Sequence, residues 1–205
     1  MATQTSDLKT WGHASTGGTY LWQTPYSDAQ SDGGATVVLN PAPVIGHSAG
    51  NSEYITAQGI VTALPLLSQM NSVDVYLKVR AVGGLLTALT DLYVYLIGPG
   101  GSILTGVNAA DATPYDTSYT TVARTFTLAD LVTLGIDPYS NTDFNDVDFG
   151  FAYAVHLADD SLNLEGSYPE LDYGYMSFNF DQGVPPGTVF VPPPLILPAA
   201  GKEIR

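Results

Sequence analysis

The chain is expected to fold as an all-β protein, a two-sheet antiparallel sandwich of jelly-roll-like type with one short helix and extended N- and C-terminal arms. Three observations predict it. Apolar Val73, Val75, Leu77 and Val79 alternate with polar Asp74, Tyr76, Lys78 and Arg80, the period-two pattern of a strand with one dry face and one wet face. Short runs of this kind recur between Gly, Pro, Asn and Asp punctuation. Helical periodicity is too scarce for a parallel α/β sheet.

The elements follow in order. "TYLWQ" from Thr19, "ATVVLN" from Ala35 and "EYITAQGIVTAL" from Glu53 are short strand candidates, and "VDVYLKVRA" carries the clearest alternation. "DLYVYLIGPGG" places Leu92, Val94 and Leu96 on one face and Tyr93, Tyr95 and Ile97 on the other, before Gly98 to Gly101 form a turn. "SYTTVARTF" from Ser118 is a further strand. The helix is expected in "TLADLVTLG": Thr127 caps it, Asp130 sits in the first turn, and Gly135 closes it in the left-handed region, with Leu128, Leu131, Val132 and Leu134 docking it.

"FGFAYAVHL" from Phe149 has a bulky face (Phe149, Phe151, Tyr153, Val155, Leu157) and a nearly flat one (Gly150, Ala152, Ala154, His156, Ala158), which marks it as a central strand whose flat face admits a close neighbour. "DYGYMSFNF" from Asp172 closes the sandwich. The domain is expected over 19–182, flanked by arms at 1–18 and 183–205. The second arm holds six prolines and the apolar Val189, Phe190, Val191, Leu195, Ile196 and Leu197, which need a surface to cover and are the candidate partner-binding residues.

Composition excludes several functions. With no cysteine there is neither a disulfide nor a thiolate site. Six Lys and Arg against twenty Asp and Glu give a formal charge of −14, which repels nucleic acid. No basic and apolar leader and no run of eighteen apolar residues appear, so neither export by an ordinary signal nor a membrane partner is expected. Only 13% of residues are charged, against roughly 25% in ordinary soluble domains. Part of the surface is therefore expected to be buried against other chains, as a dimer or trimer or on another protein.

Chemistry-bearing motifs are few. "DFNDVD" offers Asp143, Asn145, Asp146 and Asp148 as oxygen ligands for calcium, but the spacing is not that of an EF-hand, and turn formation is the reading that outweighs a metal site. No other cofactor is expected. "GHSAG" matches the letters of a nucleophile elbow with Ser48 at its centre, yet it lies between strand candidates and not between a strand and a helix. His13, His47 and His156 have no metal-ligand spacing. Carboxylates at Asp159, Asp160, Glu165, Glu170 and Asp172 include no pair that sequence alone selects for glycoside hydrolysis. The stretch 137–172 holds nine acids and no Lys or Arg, an acidic rim. An enzyme is not expected.

The order "YITAQGIVTALPLLSQMNSVDVYLKVRA", "TLADLVTLGI", "DFNDVDFGFAYAV" and "LDYGYMSFNF" resembles the β-sandwich structural proteins of tailed-phage virions, over roughly residues 20–180. That resemblance implies a virion protein made in the host cytoplasm, of capsid decoration or cement type, binding the major capsid protein or other virion proteins and stabilising the shell through its arms. The alternatives are a tail- or fibre-associated module and a carbohydrate-binding, lectin-like sandwich, for which the thirteen tyrosines are the sequence argument.

Overall fold

The computed structural model describes residues 1–23, 25–40, 49–82, 89–157 and 168–183. Two antiparallel sheets face each other. The first contains β1 (Ala2–Ser6), β3 (Leu21–Trp22), β4 (Val37–Asn40), β7 (Leu67–Val82), β10 (Thr120–Thr127) and β12 (Tyr168–Gln182). Its order is β10-β7-β12-β4-β3, with β1 pairing β12 beside β4. The second contains β2 (Leu8–Ala14), β5 (Gly50–Asn51), β6 (Tyr54–Ile60), β8 (Leu89–Ile97), β9 (Ile103–Leu104) and β11 (Gly150–Leu157), in the order β2-β6-β11-β8-β9 with β5 also on β11. The all-β sandwich expected from the alternation is thus the fold observed.

The alternating pattern of β7 is realised in full: Val73, Val75, Leu77 and Val79 are all completely buried. Across the sandwich they meet Phe149, Phe151, Tyr153, Val155 and Leu157, the bulky face of β11. The flat face of β11 is also covered. Tyr54 and Tyr95, joined by Tyr93, gather with Ala152 and Ala154 into a second apolar cluster on the outer side, with Tyr93 and Tyr95 stacked at 5.2 Å. Small residues there make room for three rings of the same chain.

Residues 1–18, expected as an arm, instead supply one strand to each sheet. β1 pairs Ala2 with Phe180 and Ser6 with Met176, Asp7 turns the corner, and β2 runs along β6. "ATQTS" has no large apolar side chain, so its period carries no hydrophobic signal although each of its five residues has a partner on β12. The anchors of this segment are Leu8, which is wholly buried, and Trp11, whose ring stands edge-on to Phe151 at 5.9 Å. Gly174 makes that possible, because a Cβ there would stand 2.8 Å from the Trp11 ring and 3.1 Å from that of Phe151.

Helix α1 (Leu128–Thr133) forms as its caps dictate. Thr127 and Asp130 exchange the two hydrogen bonds of a capping box, and Gly135 takes φ of 75°. Leu131 is buried, but Val132, expected in the docking face, is 60% exposed, because a helix of six residues turns only one narrow stripe to the sheet. A second helical turn, α2 (Asn141–Phe144), was hidden in the acidic stretch. Phe144 pins it to the core against Phe149, edge-on at 5.3 Å.

One polar network crosses the core. A register shift skips Leu92 between the pairs Ala154 with Tyr93 and Val155 with Asp91. Leu92 therefore joins the outer tyrosine cluster, contrary to the strict alternation, and Asp91 takes the inward place. Its carboxylate, with no exposed side-chain surface, accepts from Arg124 of β10 in the opposite sheet, from the Tyr115 hydroxyl, and from the Asp111 amide at 3.2 Å. Tyr115 in turn meets the Tyr153 hydroxyl, and burial pushes both phenols well above their ordinary pKa. Breaking a buried ion pair by removing one partner costs about 3–5 kcal/mol. Arg124→Met is expected to lose stability of that order in urea unfolding, with the mutant's midpoint well below wild type; an unchanged midpoint would show that the network does not clamp the sheets.

Candidate binding cleft

The outer face of the first sheet is built by the polar phase of β7 and β12. In register, Asp74 stands beside Ser177, Tyr76 beside Tyr175, Lys78 beside Tyr173 and Arg80 beside Glu170. Tyr76 and Tyr175 stack with centroids 4.8 Å apart and planes within 3°, and Tyr173 continues the row at 5.2 Å from Tyr175. All three rings are half-buried. Between Leu171 and Tyr173 the pairing with β7 shifts by one residue, and Asp172 is the extra one. A bulge of this kind turns two successive side chains to one side, so Asp172 and Tyr173 both serve the outer face.

Asp172, 4% exposed in its side chain, lies 2.7 Å from the Lys78 ammonium. Asp32, on the loop that follows the 3-10 turn Tyr26–Gln30, approaches the same ammonium from the solvent side. Gly33 of that loop donates its amide to Asp172 at 3.4 Å. At the other end the Tyr173 hydroxyl donates to Asp7, at the corner between β1 and β2. These groups enclose an open cleft of about 440 Å³, lined by Thr5, Asp7, Asp32, Lys78, Tyr173 and Tyr175 among others.

The electrostatics follow from the pairing. The hydrogen bonds that Lys78 donates to Asp172 and Asp32 raise its pKa above the usual value, so the amine is held as a donor cation. The Lys78 hydrogen bond holds Asp32 below the usual carboxylate range. Burial, then the bond to Asp7, raises the Tyr173 phenol, which stays a neutral donor. A second pair flanks the cleft: Arg80 binds Glu170 at 2.7 Å, lies 4.4 Å over the Tyr119 ring, and Tyr119 donates to the same carboxylate at 2.7 Å. Burial pushes the Tyr119 pKa up to about 12.

The residues singled out in the sequence fall elsewhere. Asn145 is fastened to Leu64, accepting from its amide at 2.6 Å and donating to its carbonyl at 3.0 Å. Asp146 accepts from the Asp148 amide at 2.9 Å, and Asp143 accepts from the Asp137 amide at 3.2 Å. Asp143, Asn145, Asp146 and Asp148 thus tie down a loop, and among the described residues no group of three or more His, Asp or Glu is placed to hold a metal ion. His156 bonds Asn51 at 2.9 Å, and His13 packs on Tyr26. Ser48, His47, Asp159, Asp160, Glu165, Val189, Phe190, Val191, Leu195, Ile196 and Leu197 lie outside the described residues. Of the acids weighed for catalysis, Glu170 and Asp172 are placed, each paired with a cation of β7.

Sequence reading missed the cleft itself. Its tyrosines were visible as an alternating row in β12, but the bulge at Asp172 and the approach of Asp7 and Asp32 from distant loops leave no local signal. No protein-family model matches the chain, and no curated protein does. Among solved structures it is similar to CBM35 from Paenibacillus barcinonensis, at 13% identity over 83% of this chain and 98% of that one, with a TM-score of 0.30.

The depressed Asp32 carboxyl has a testable sign. Because its folded pKa lies below the ordinary 3.8, the Lys78 contact contributes stability above about pH 4 and loses it as pH falls through the folded value. Carboxyl-carbon NMR titration is expected to place the Asp32 midpoint below 3.8 in the wild type and to move it upward in Lys78→Met. Coincident midpoints would remove Lys78 as the cause.

Proposed function

We propose that this protein is a non-catalytic binding module that takes an uncharged carbohydrate in the cleft on the outer face of the first sheet. The carrying observation is the combination, in one open cleft, of half-buried tyrosine rings with fixed hydrogen-bonding groups of both kinds. Sugar rings present apolar C–H faces and polar hydroxyl edges, and such a ligand needs both. Tyr173 and Tyr175 offer the apolar surface; Asp7 and Asp32 accept; Lys78, Thr5 and Thr121 donate. A volume of about 440 Å³ falls within the range of small-ligand sites.

Charge narrows the ligand. Asp7, Asp32 and Asp172 outnumber Lys78, and the chain carries −14, so a polyanionic glycan meets repulsion before contact. Lys78 held charged and Tyr173 held neutral are suited to binding, since neither changes protonation near neutral pH.

A second reading, a decoration or cement component of a tailed-phage shell, is favoured by the low charge content of 13% and the apolar segment containing Val189, Phe190, Val191, Leu195, Ile196 and Leu197. It predicts co-sedimentation with purified shells at a fixed ratio, lost on deletion of residues 183–205. For the carbohydrate reading, calorimetry against a panel of neutral oligosaccharides is expected to find a binder whose affinity falls about tenfold in Tyr173→Ala, the equivalent of about 1.4 kcal/mol. If a saccharide binds equally well to that variant, the cleft is not its site; if none binds, the reading fails.

A further inference from the structure

A separate feature of the same sheet points to a second copy of this chain. Strand β10 is an outer edge: it pairs with β7 through eight consecutive residues without a bulge, and among the described residues no strand lies on its other side. Eight residues span about 27 Å. Long regular edges of this kind are normally blunted by lysine, proline or a bulge. "TTVARTFT" has none of these. Its one charge, Arg124, is turned inward to Asp91, and the side chains on the outer face are Thr121, Ala123 and Thr125, all exposed. Of the other edge strands among the described residues, β2 carries Lys9 and Gly12, β3, β5 and β9 are only two residues long, and β1, which pairs β12 on one side, offers five residues against the eight of β10.

We infer that β10 pairs antiparallel with β10 of a second copy about a two-fold axis at Ala123. The sequence suits that register. Thr121 faces the partner's Thr125, Ala123 faces its own counterpart, Arg124 faces the partner's Val122, and Phe126 faces the partner's Thr120. No like charges oppose each other, and threonine pairs across strands are favourable. An interface of this symmetry is closed, so pairing stops at the dimer. The axis stands perpendicular to the joined sheets, so the two outer faces, each with its cleft, look the same way. Simultaneous engagement of one extended ligand then gains effective concentration. The dimer itself does not depend on what the cleft binds.

The test is sedimentation equilibrium of the full chain from low micromolar to submillimolar concentration. The wild type is expected to approach twice 21.6 kDa. Thr121→Lys with Thr125→Lys places lysine opposite lysine and is expected to weaken association more than about tenfold. Thr121→Glu with Thr125→Lys places Glu opposite Lys across the axis, with Lys78 beside the new Glu and Asp74 beside the new Lys inside each chain, and is expected to restore it. A wild-type monomer throughout, or equal association of the double-lysine variant, overturns the inference. So does amide exchange at residues 121–125 that shows no slowing with protein concentration, a readout independent of whether any variant folds.

Discussion

The long antiparallel pairing of β7 with β12 is the constraint on which the rest depends. It runs from Leu67 with Gln182 to Val82 with Tyr168, and both strands alternate in phase along most of it. The inner phase lays Val73, Val75, Leu77, Met176 and Phe178 into the core. The outer phase sets tyrosines and charges beside one another as cross-strand pairs. Since side chains alternate with period two, core and cleft are two sides of one register, and a slip of one residue would bury Lys78 and expose Leu77. The ladder departs from that rule at three shifts, and the one at Asp172 sets an extra carboxylate on the outer face beside Lys78.

What the sequence makes legible are the properties a single strand or helix carries within itself. The buried face of β7, the two faces of β11 and the capping box of Thr127 and Asp130 are local patterns, and each appears in the structure as its pattern requires. What it hides depends on partners far away in the chain. β1 has no apolar period because it borrows its place from β12, 170 or more residues later. Asp7, Asp32, Lys78 and Asp172 converge from four separate segments. The acids of 143–148 drew notice by density, yet Asn145 and Asp146 spend their oxygens on backbone amides, which is the commoner use of such residues in loops.

Scarcity of positive charge gives the molecule its electrostatic plan. Of the six basic side chains, Lys78, Arg80 and Arg124 all belong to the first sheet, and each is bound to a carboxylate. Lys78 and Arg80 are paired on the outer face with Asp172 and Glu170 of the neighbouring strand, while Arg124 crosses the core to Asp91. The first two pairs organise a surface; the third is an ion pair that joins the two sheets. A pair of the third kind is costly to break because the surviving charge has no water to receive it.

That allocation also explains the bare edge. Proteins ordinarily keep strand edges from pairing by placing lysines on them. Here the cations of the first sheet are committed to carboxylates within the fold, and β10 is left with hydroxyls and an alanine. Threonine solvates an edge well enough for solubility without forbidding a matching edge from docking. An edge that is flat, uncharged and self-complementary in register, on the same sheet as an open cleft, places two clefts on one continuous surface when it is satisfied. On the proposed carbohydrate reading, a sugar's hydroxyls exchange protein for water at little net gain per bond, and two clefts facing one way would add affinity for an extended chain through effective concentration.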